Sequence, residues 1–282
     1  MRMTGFVAVA ASLAIVASAH GEDIEWSQTL NLPKGLNLPK DVSADILGIE
    51  LGEPYASAKV KLEKLYRESP AAPQKKKIDE VERGISMVLP SRGSITARFP
   101  GQIDLTTITP GKGRLPIEER VSVFVSAPPS GQQVIGIERA IEYPEHADQP
   151  RVSELLDRLK AKFKAEPVVN PKGGAVEYTF VFVKGRAVDP RQLTIVTCNA
   201  DYGIQNMPTN SNDVPRMNAE GKCDIVLRLT IAYGLSADHV KRVTFAFSDS
   251  ERTKANLTAD YAFFGNYVKR LQDGTKGAGP KL

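Results

Sequence analysis

The sequence is short of the residues that most often carry chemistry. It holds three histidines and two cysteines in 282 residues. His20, His146 and His239 lie far apart in the chain, and none has a second histidine at ligand spacing. Each reads as a surface histidine. No HExxH, CxxC or EF-hand loop is present, so neither a dedicated metal site nor a cofactor is expected. There is no G-x-S-x-G elbow for a serine nucleophile. Gly111-Lys112-Gly113 sets a lysine between glycines, but the rest of the P-loop pattern and its hydroxyl residue are missing, so it reads as a turn. Tyr55-x-x-x-Lys59 has the spacing of a tyrosine–lysine pair used by some dehydrogenases. No glycine-rich strand–turn–helix precedes it, and it reads as coincidence. These absences leave one catalytic class open: aspartate and glutamate are plentiful, and a carboxylate pair for hydrolysis has no fixed sequence spacing.

A dominant charge is also missing. The formal net charge is +4. Removing residues 1–19, which contain Arg2 and no acid, leaves a mild basic balance that argues for a mixed-charge solvated surface and against nucleic acid as a partner. Long apolar runs are missing beyond the first residues: no later stretch approaches 18 apolar residues, so no transmembrane segment is expected. The one run, residues 6–16, follows Arg2 and precedes Ala17-Ser18-Ala19, which fits small-x-small cleavage. Residues 1–19 therefore read as a secretory signal peptide. The expectation is an exported protein, periplasmic or secreted after cleavage. No cysteine near the cleavage site offers a lipid anchor.

An even cysteine count in an exported chain favours a disulfide between Cys198 and Cys223, worth roughly 3 kcal/mol in the loop-entropy model. Two buried free thiols are the alternative. Residues 199–222 between them form a 24-residue polar loop. Loops of that length are uncommon in compact domains and are often functional. Tyr202, Ile204, Met207 and Met217 would supply apolar contacts to a partner from a loop tethered by the disulfide, or would tuck back on the sheet.

Elsewhere the pattern is rich. Val121, Val123 and Val125 share one face of a strand, and Pro128, Pro129, Ser130 and Gly131 supply a turn. The return strand places Ile135, Ile137, Ile141 and Tyr143 on one face, with Glu138 and Glu142 on the wet one. Val152, Leu155, Leu156, Leu159 and Phe163 then recur at helical spacing. Neither piece is stable alone, so the helix is expected to lie on the sheet.

Residues 20–44 read as an extended arm in which Leu-Asn-Leu-Pro-Lys occurs twice. A helix from Pro54 to about Arg67 follows a short apolar strand or turn bracketed by Gly48 and Gly52. The run of Lys75, Lys76 and Lys77, with Asp79, Glu80 and Glu82, reads as a solvated face. Residues 94–99 and 103–108 are short β-like runs. Asn170, Pro171, Gly173 and Gly174 read as a loop between a first half, residues 45–167, and a second, residues 176–272. The second half has strands around Phe180, Leu227 and Phe245 and a helix through Leu257, Tyr261, Phe264 and Val268, with Ser248 or Asp249 as its cap. Residues 273–282 read as a disordered tail. Strands do not alternate strictly with helices, so the expected class is α+β: mostly antiparallel sheet, covered on one side by about three helices, with an arrangement as two related halves left open.

Residues 46–52, Ile-Leu-Gly-Ile-Glu-Leu-Gly, followed by a helix and antiparallel strands, give residues 45–167 a resemblance to an exported module. It resembles the helix-plus-sheet unit of the β-lactamase inhibitor proteins and of the small lipoprotein of the outer-membrane barrel assembly machinery. This chain lacks the lipidated cysteine of the latter. The resemblance implies a binding or scaffolding protein of the bacterial envelope rather than an enzyme, and carries over no functional residue. From all these features we expect a non-catalytic exported protein that binds a protein or cell-wall partner, with a carboxylate-dependent hydrolase or a small-ligand carrier as alternatives.

Overall fold

In the computed structural model, residues 24–33, 38–40, 42–43, 45–89, 93–189 and 223–276 are described. Two short strands, β1 (Asp45–Ile46) and β2 (Ile49–Glu50), pair with each other ahead of helix α1 (Tyr55–Glu68). A large antiparallel sheet follows. Its first four strands are β3 (Lys76–Leu89), β4 (Gly93–Thr109), β5 (Ile117–Val125) and β6 (Val134–Glu142). Helix α2 (Val152–Phe163) leads to β7 (Val168–Lys172), β8 (Ala175–Val183) and the short β9 (Arg186–Ala187). Strands β10 (Ile225–Tyr233) and β11 (Val240–Asp249) precede helix α3 (Ser250–Lys276). The strand order is β3-β4-β5-β6-β11-β10-β8-β7, with β9 paired to β8. The last strands of the two meanders, β6 and β11, pair antiparallel at the centre.

Register explains the core. Ile103, Val123, Ile137, Phe247, Leu227 and Phe180 are successive cross-strand partners on six strands, and all are buried. Side chains of period two stack there into one apolar row. Ala58 and Leu62 of α1 and Val152, Leu159 and Phe163 of α2 close over this face. The Phe163 ring lies 5.6 Å from Phe180 and 5.9 Å from Phe247. Burying each such side chain stabilises by about 1.5–3 kcal/mol.

The α+β expectation, with helices on one side, is corrected. Among the described residues strand positions outnumber helical ones, so the fold is sheet-dominated, and the three α-helices found there divide between the two faces. Leu257, Tyr261, Phe264 and Val268 of α3 pack with Ile85, Ala97 and Phe99, which the register places on the face opposite Leu105. The charged run at residues 75–82 is the physical source of the difference. It opens a 14-residue edge strand, where lysine and glutamate discourage pairing with other chains. The two short runs at 94–99 and 103–108 are one 17-residue strand, interrupted where the register shifts opposite Val81 and Glu82.

Other details also change. Ile135 sits at the register shift between β5 and β6 and joins Phe124, Val181 and Val226 in a separate cluster rather than the Ile137 face. The expected loop at residues 170–174 is strand β7 and its turn into β8. Helix α3 runs three residues beyond the start of the expected tail, to Lys276. Residues 1–19 lie outside the described residues.

Candidate functional site

The densest polar chemistry lies in a buried junction where five segments meet. Residues 52–54 run beside the start of β6: Gly52 N–H donates to Val134 O at 2.7 Å and Val134 N–H to Glu53 O at 2.8 Å. Gly52 has φ +83, and a Cβ built there would stand 2.5 Å from the Arg252 guanidinium carbon. Glycine therefore satisfies the backbone and makes room for the arginine. Asp249 caps α3 by accepting the Arg252 N–H at 2.8 Å, and its second oxygen accepts from Arg252 Nε at 3.3 Å. Arg252 Nη1 donates to Gln133 Oε1 at 2.8 Å, and Nη2 donates to the Pro33 carbonyl. The guanidinium is fully buried.

The arm, residues 24–33, covers this junction. Gln133 Nε2 donates to Leu32 O at 2.8 Å. Pro129 O, in the short 3-10 turn Pro128–Ser130, accepts from Thr29 N–H at 2.6 Å and Leu30 N–H at 3.1 Å. Asp260, two turns along α3 from Arg252, accepts from Ala127 N–H at 3.0 Å and Ser130 N–H at 2.9 Å. Between them on the same helix face stands Asn256, fully buried with neither amide atom partnered. Ser248 Oγ and Trp26 Nε1 are also buried without a partner among the described residues. Trp26 of the arm stacks on Phe263 of α3, ring centroids 5.7 Å apart.

Burial pushes the Asp260 carboxyl up to about 7, against the two backbone donors that favour its charge. Burial also raises Asp249, with Arg252 pulling the other way, and lowers the Arg252 guanidinium below its usual range. Perturbed groups of this kind mark functional sites as well as structural ion pairs. Here Arg252, Gln133 and Asp260 each bond main chain or another buried side chain. The arrangement is suited to holding an extended segment rather than to turning over a substrate.

The residues singled out from sequence fare differently. Cys198, Tyr202, Ile204, Met207 and Met217 lie outside the described residues. Cys223 is buried beside Phe124, Val181, Val226 and Ala246. Tyr55 and Lys59 both donate to Glu80 of β3, which ties α1 to the edge strand. Burial and the Glu80 bond raise the Tyr55 pKa, the opposite of what a proton-transferring tyrosine needs. His146 and His239, read as isolated, are brought together with ring centroids 4.5 Å apart, because the Arg151–His239 bridge joins the start of α2 to the β10–β11 turn. His239 Nδ1 also meets Ser236 Oγ at 2.8 Å and Asp238 Oδ1 at 2.9 Å. A hydrogen bond from Ser236 first, and then one from His239, hold the Asp238 carboxyl down to about 2. Among the described residues no group of three or more His, Cys, Asp or Glu side chains forms a metal cluster. Lys112 N–H, inside the glycine–lysine–glycine turn, donates to Asp148.

Two further places have shape. A cavity of about 230 Å³ lies between the end of α1 and the sheet, walled by Leu47, Leu65, Leu105 and Val121. The Arg139–Glu119 ion pair, 2.7 Å, interrupts its apolar wall. On the opposite sheet face Thr106, Arg120, Ala140, Thr244 and Thr230 are successive cross-strand partners, all at least part-exposed. Asp104 and Glu138 flank Ser122 on that face, two strands and so about 10 Å apart. Asp104 is already held by Arg120 at 2.9 Å and Gln102 at 2.8 Å.

Gln133, Arg252, Asn256 and Asp260 escaped the sequence reading. One signal was available: positions 252, 256 and 260 are polar at helical spacing, directly beside the apolar stripe of Leu257, Tyr261 and Phe264. Among the described residues no helix is long and apolar enough to cross a membrane. Comparisons of the chain with protein-family models, with curated proteins and with solved structures return no match.

Proposed function

We propose that the chain is an exported envelope protein that binds a protein or cell-wall partner and is not a catalyst. The observation that supports this most is the polar row on the face opposite α1 and α2. It runs straight across five strands, carries Arg120 within it and Glu138 and Arg228 beside it, and is presented by a rigid sheet rather than a pocket. A flat, mixed-charge platform suits a macromolecular partner better than a small substrate. The loop of residues 199–222, tied at its base by a Cys198–Cys223 disulfide, belongs to the same proposal. So does the resemblance of residues 45–167 to exported inhibitor and assembly modules. The test is cross-linking of the full chain in an envelope extract. We expect a discrete adduct with wild type and its loss with the Thr106→Lys/Thr244→Lys double variant, both positions part-exposed on the row, at unchanged melting temperature. The same adduct in both, or none in either, would overturn the proposal.

A second reading, a small-ligand carrier, draws on the cavity beneath α1. Its apolar walls and single ion pair suit a small amphipathic molecule. A ligand that raises the melting temperature of wild type but not of Leu65→Trp would support it.

A further inference from the structure

The arm over the junction carries a sequence that occurs twice. Leu-Asn-Leu-Pro-Lys stands at residues 30–34 and again at 36–40, separated by Gly35. The first copy meets the junction residue by residue. Leu30 N–H donates to Pro129 O, and Gln133 Nε2 reaches both Asn31 Oδ1, at 3.5 Å, and Leu32 O. Arg252 donates to Pro33 O. Four consecutive residues are thus read by three, Pro129, Gln133 and Arg252.

Three features make this a recognition socket rather than incidental packing. The arm is read through carbonyls, one N–H and one asparagine amide, which is how extended peptides are gripped. The donors are fixed in advance: Asp249 holds Arg252 Nε, and the bare α-carbon of Gly52 gives the guanidinium its place. Asn256, one turn from Arg252 on the same helix, is fully buried with both amide atoms unpartnered among the described residues, so the helix that supplies Arg252 holds hydrogen-bonding capacity not in use.

We propose that the junction is a recognition site for an extended Leu-Asn-Leu-Pro peptide, that residues 30–33 are its resident ligand, and that residues 36–39 are a competing ligand for the same socket. The two copies have identical side chains and an identical proline, so the socket cannot tell them apart by sequence. What favours the first copy is the tether, as an effective concentration, and the separate packing of Leu38 of the second copy against the main core, which a change of register gives up. The arm then has two registers six residues apart, and the second withdraws Trp26 from Phe263 and Phe99. This holds whatever the sheet face binds.

Trp26 is the only tryptophan in the chain, so its emission reports the arm. The probe is a labelled synthetic peptide, Leu-Asn-Leu-Pro-Lys-Gly, blocked at both ends. It is titrated into three full-length proteins: wild type, a variant with Asn31→Ala and Leu32→Ser, and one that adds Asn37→Ala and Leu38→Ser. We expect saturable binding by the third, binding at least tenfold weaker by the second because its second copy competes, and the weakest by wild type. Adding Gln133→Ala to the third should weaken binding at least tenfold. A third variant that is folded by circular dichroism yet ignores the peptide would overturn the site. Equal affinity of the second and third would overturn the competing register. Should the third not fold, excess unlabelled peptide is added to wild type. A red shift of Trp26 emission, absent with a scrambled peptide, supports the site, and no shift overturns it.

Discussion

The face under α1 and α2 and the junction under the arm are both buried, yet they are built by opposite means. The first is a continuous apolar row, from Ile103 to Phe180, held by area removed from water. The second centres on a charged guanidinium, two carboxyls and an unpartnered amide, held by directional bonds between segments far apart in the chain. The first tolerates substitution that keeps volume; the second tolerates almost none, because removing one partner strands another in a dry environment. The lesson is that stability and specificity reside in different places in this molecule. The apolar row is held by burial, and the polar junction bonds the arm to the turn before β6 and to α3.

The largest effect that would test this contrast is expected in the apolar row. Phe247→Ala removes a fully buried ring at the centre of the sheet and should destabilise by about 3–5 kcal/mol in chemical denaturation. Trp26 emission in the still-folded protein should not move. Arg252→Met should cost about 3 kcal/mol, because it leaves Asp249 Oδ2, Gln133 Oε1 and Pro33 O without their donor, while Asp249 Oδ1 keeps the main-chain N–H of position 252. This variant should also red-shift Trp26 emission well below the melting temperature, and an unmoved emission would erase the distinction between the two regions. Gly52→Ala should destabilise by about 1–3 kcal/mol, since a Cβ meets the guanidinium and the φ is left-handed. A neutral result in thermal denaturation would show that the arginine has room to shift.

The smallest effect is a slope. Asp249 and Asp260 have folded-state pKa values raised above the unfolded value of about 3.9. Their contribution to stability is therefore complete below pH 4 and is lost as pH rises through about 7. Each contributes a fall of at most about 1.4 kcal/mol per pH unit in that window. Asp260→Asn should flatten the decline between pH 4 and pH 7, read from melting temperatures across a pH series. An unchanged slope would place its carboxyl outside the dry junction.

Much of the fold was legible because burial imposes a period. The stripe from Val152 to Phe163 gave α2. Alternation through Leu227, Leu229 and Ile231 gave β10, and Asp249 proved to be the cap of α3. Charge misled the reading at residues 75–82, since an edge strand and a solvated face make the same demand on side chains. Register shifts near Val81 and at Ile135 were invisible, because one extra residue moves side chains across the sheet without changing composition. The junction was the least legible part. Gln133 and Arg252 are 119 positions apart, and no local pattern announces a hydrogen bond of that reach.

By itself the sequence determined where apolar faces run, where chains turn and which motifs of known chemistries it does not contain. These are local consequences of side-chain period and backbone freedom. Only the tertiary structure decided that the helices divide between two faces, that two histidines touch, and that Gly52, Gln133 and Arg252 close around the arm. The reason is physical: such contacts depend on strand order and register, which are settled by the free energy of the whole sheet rather than by any segment of it.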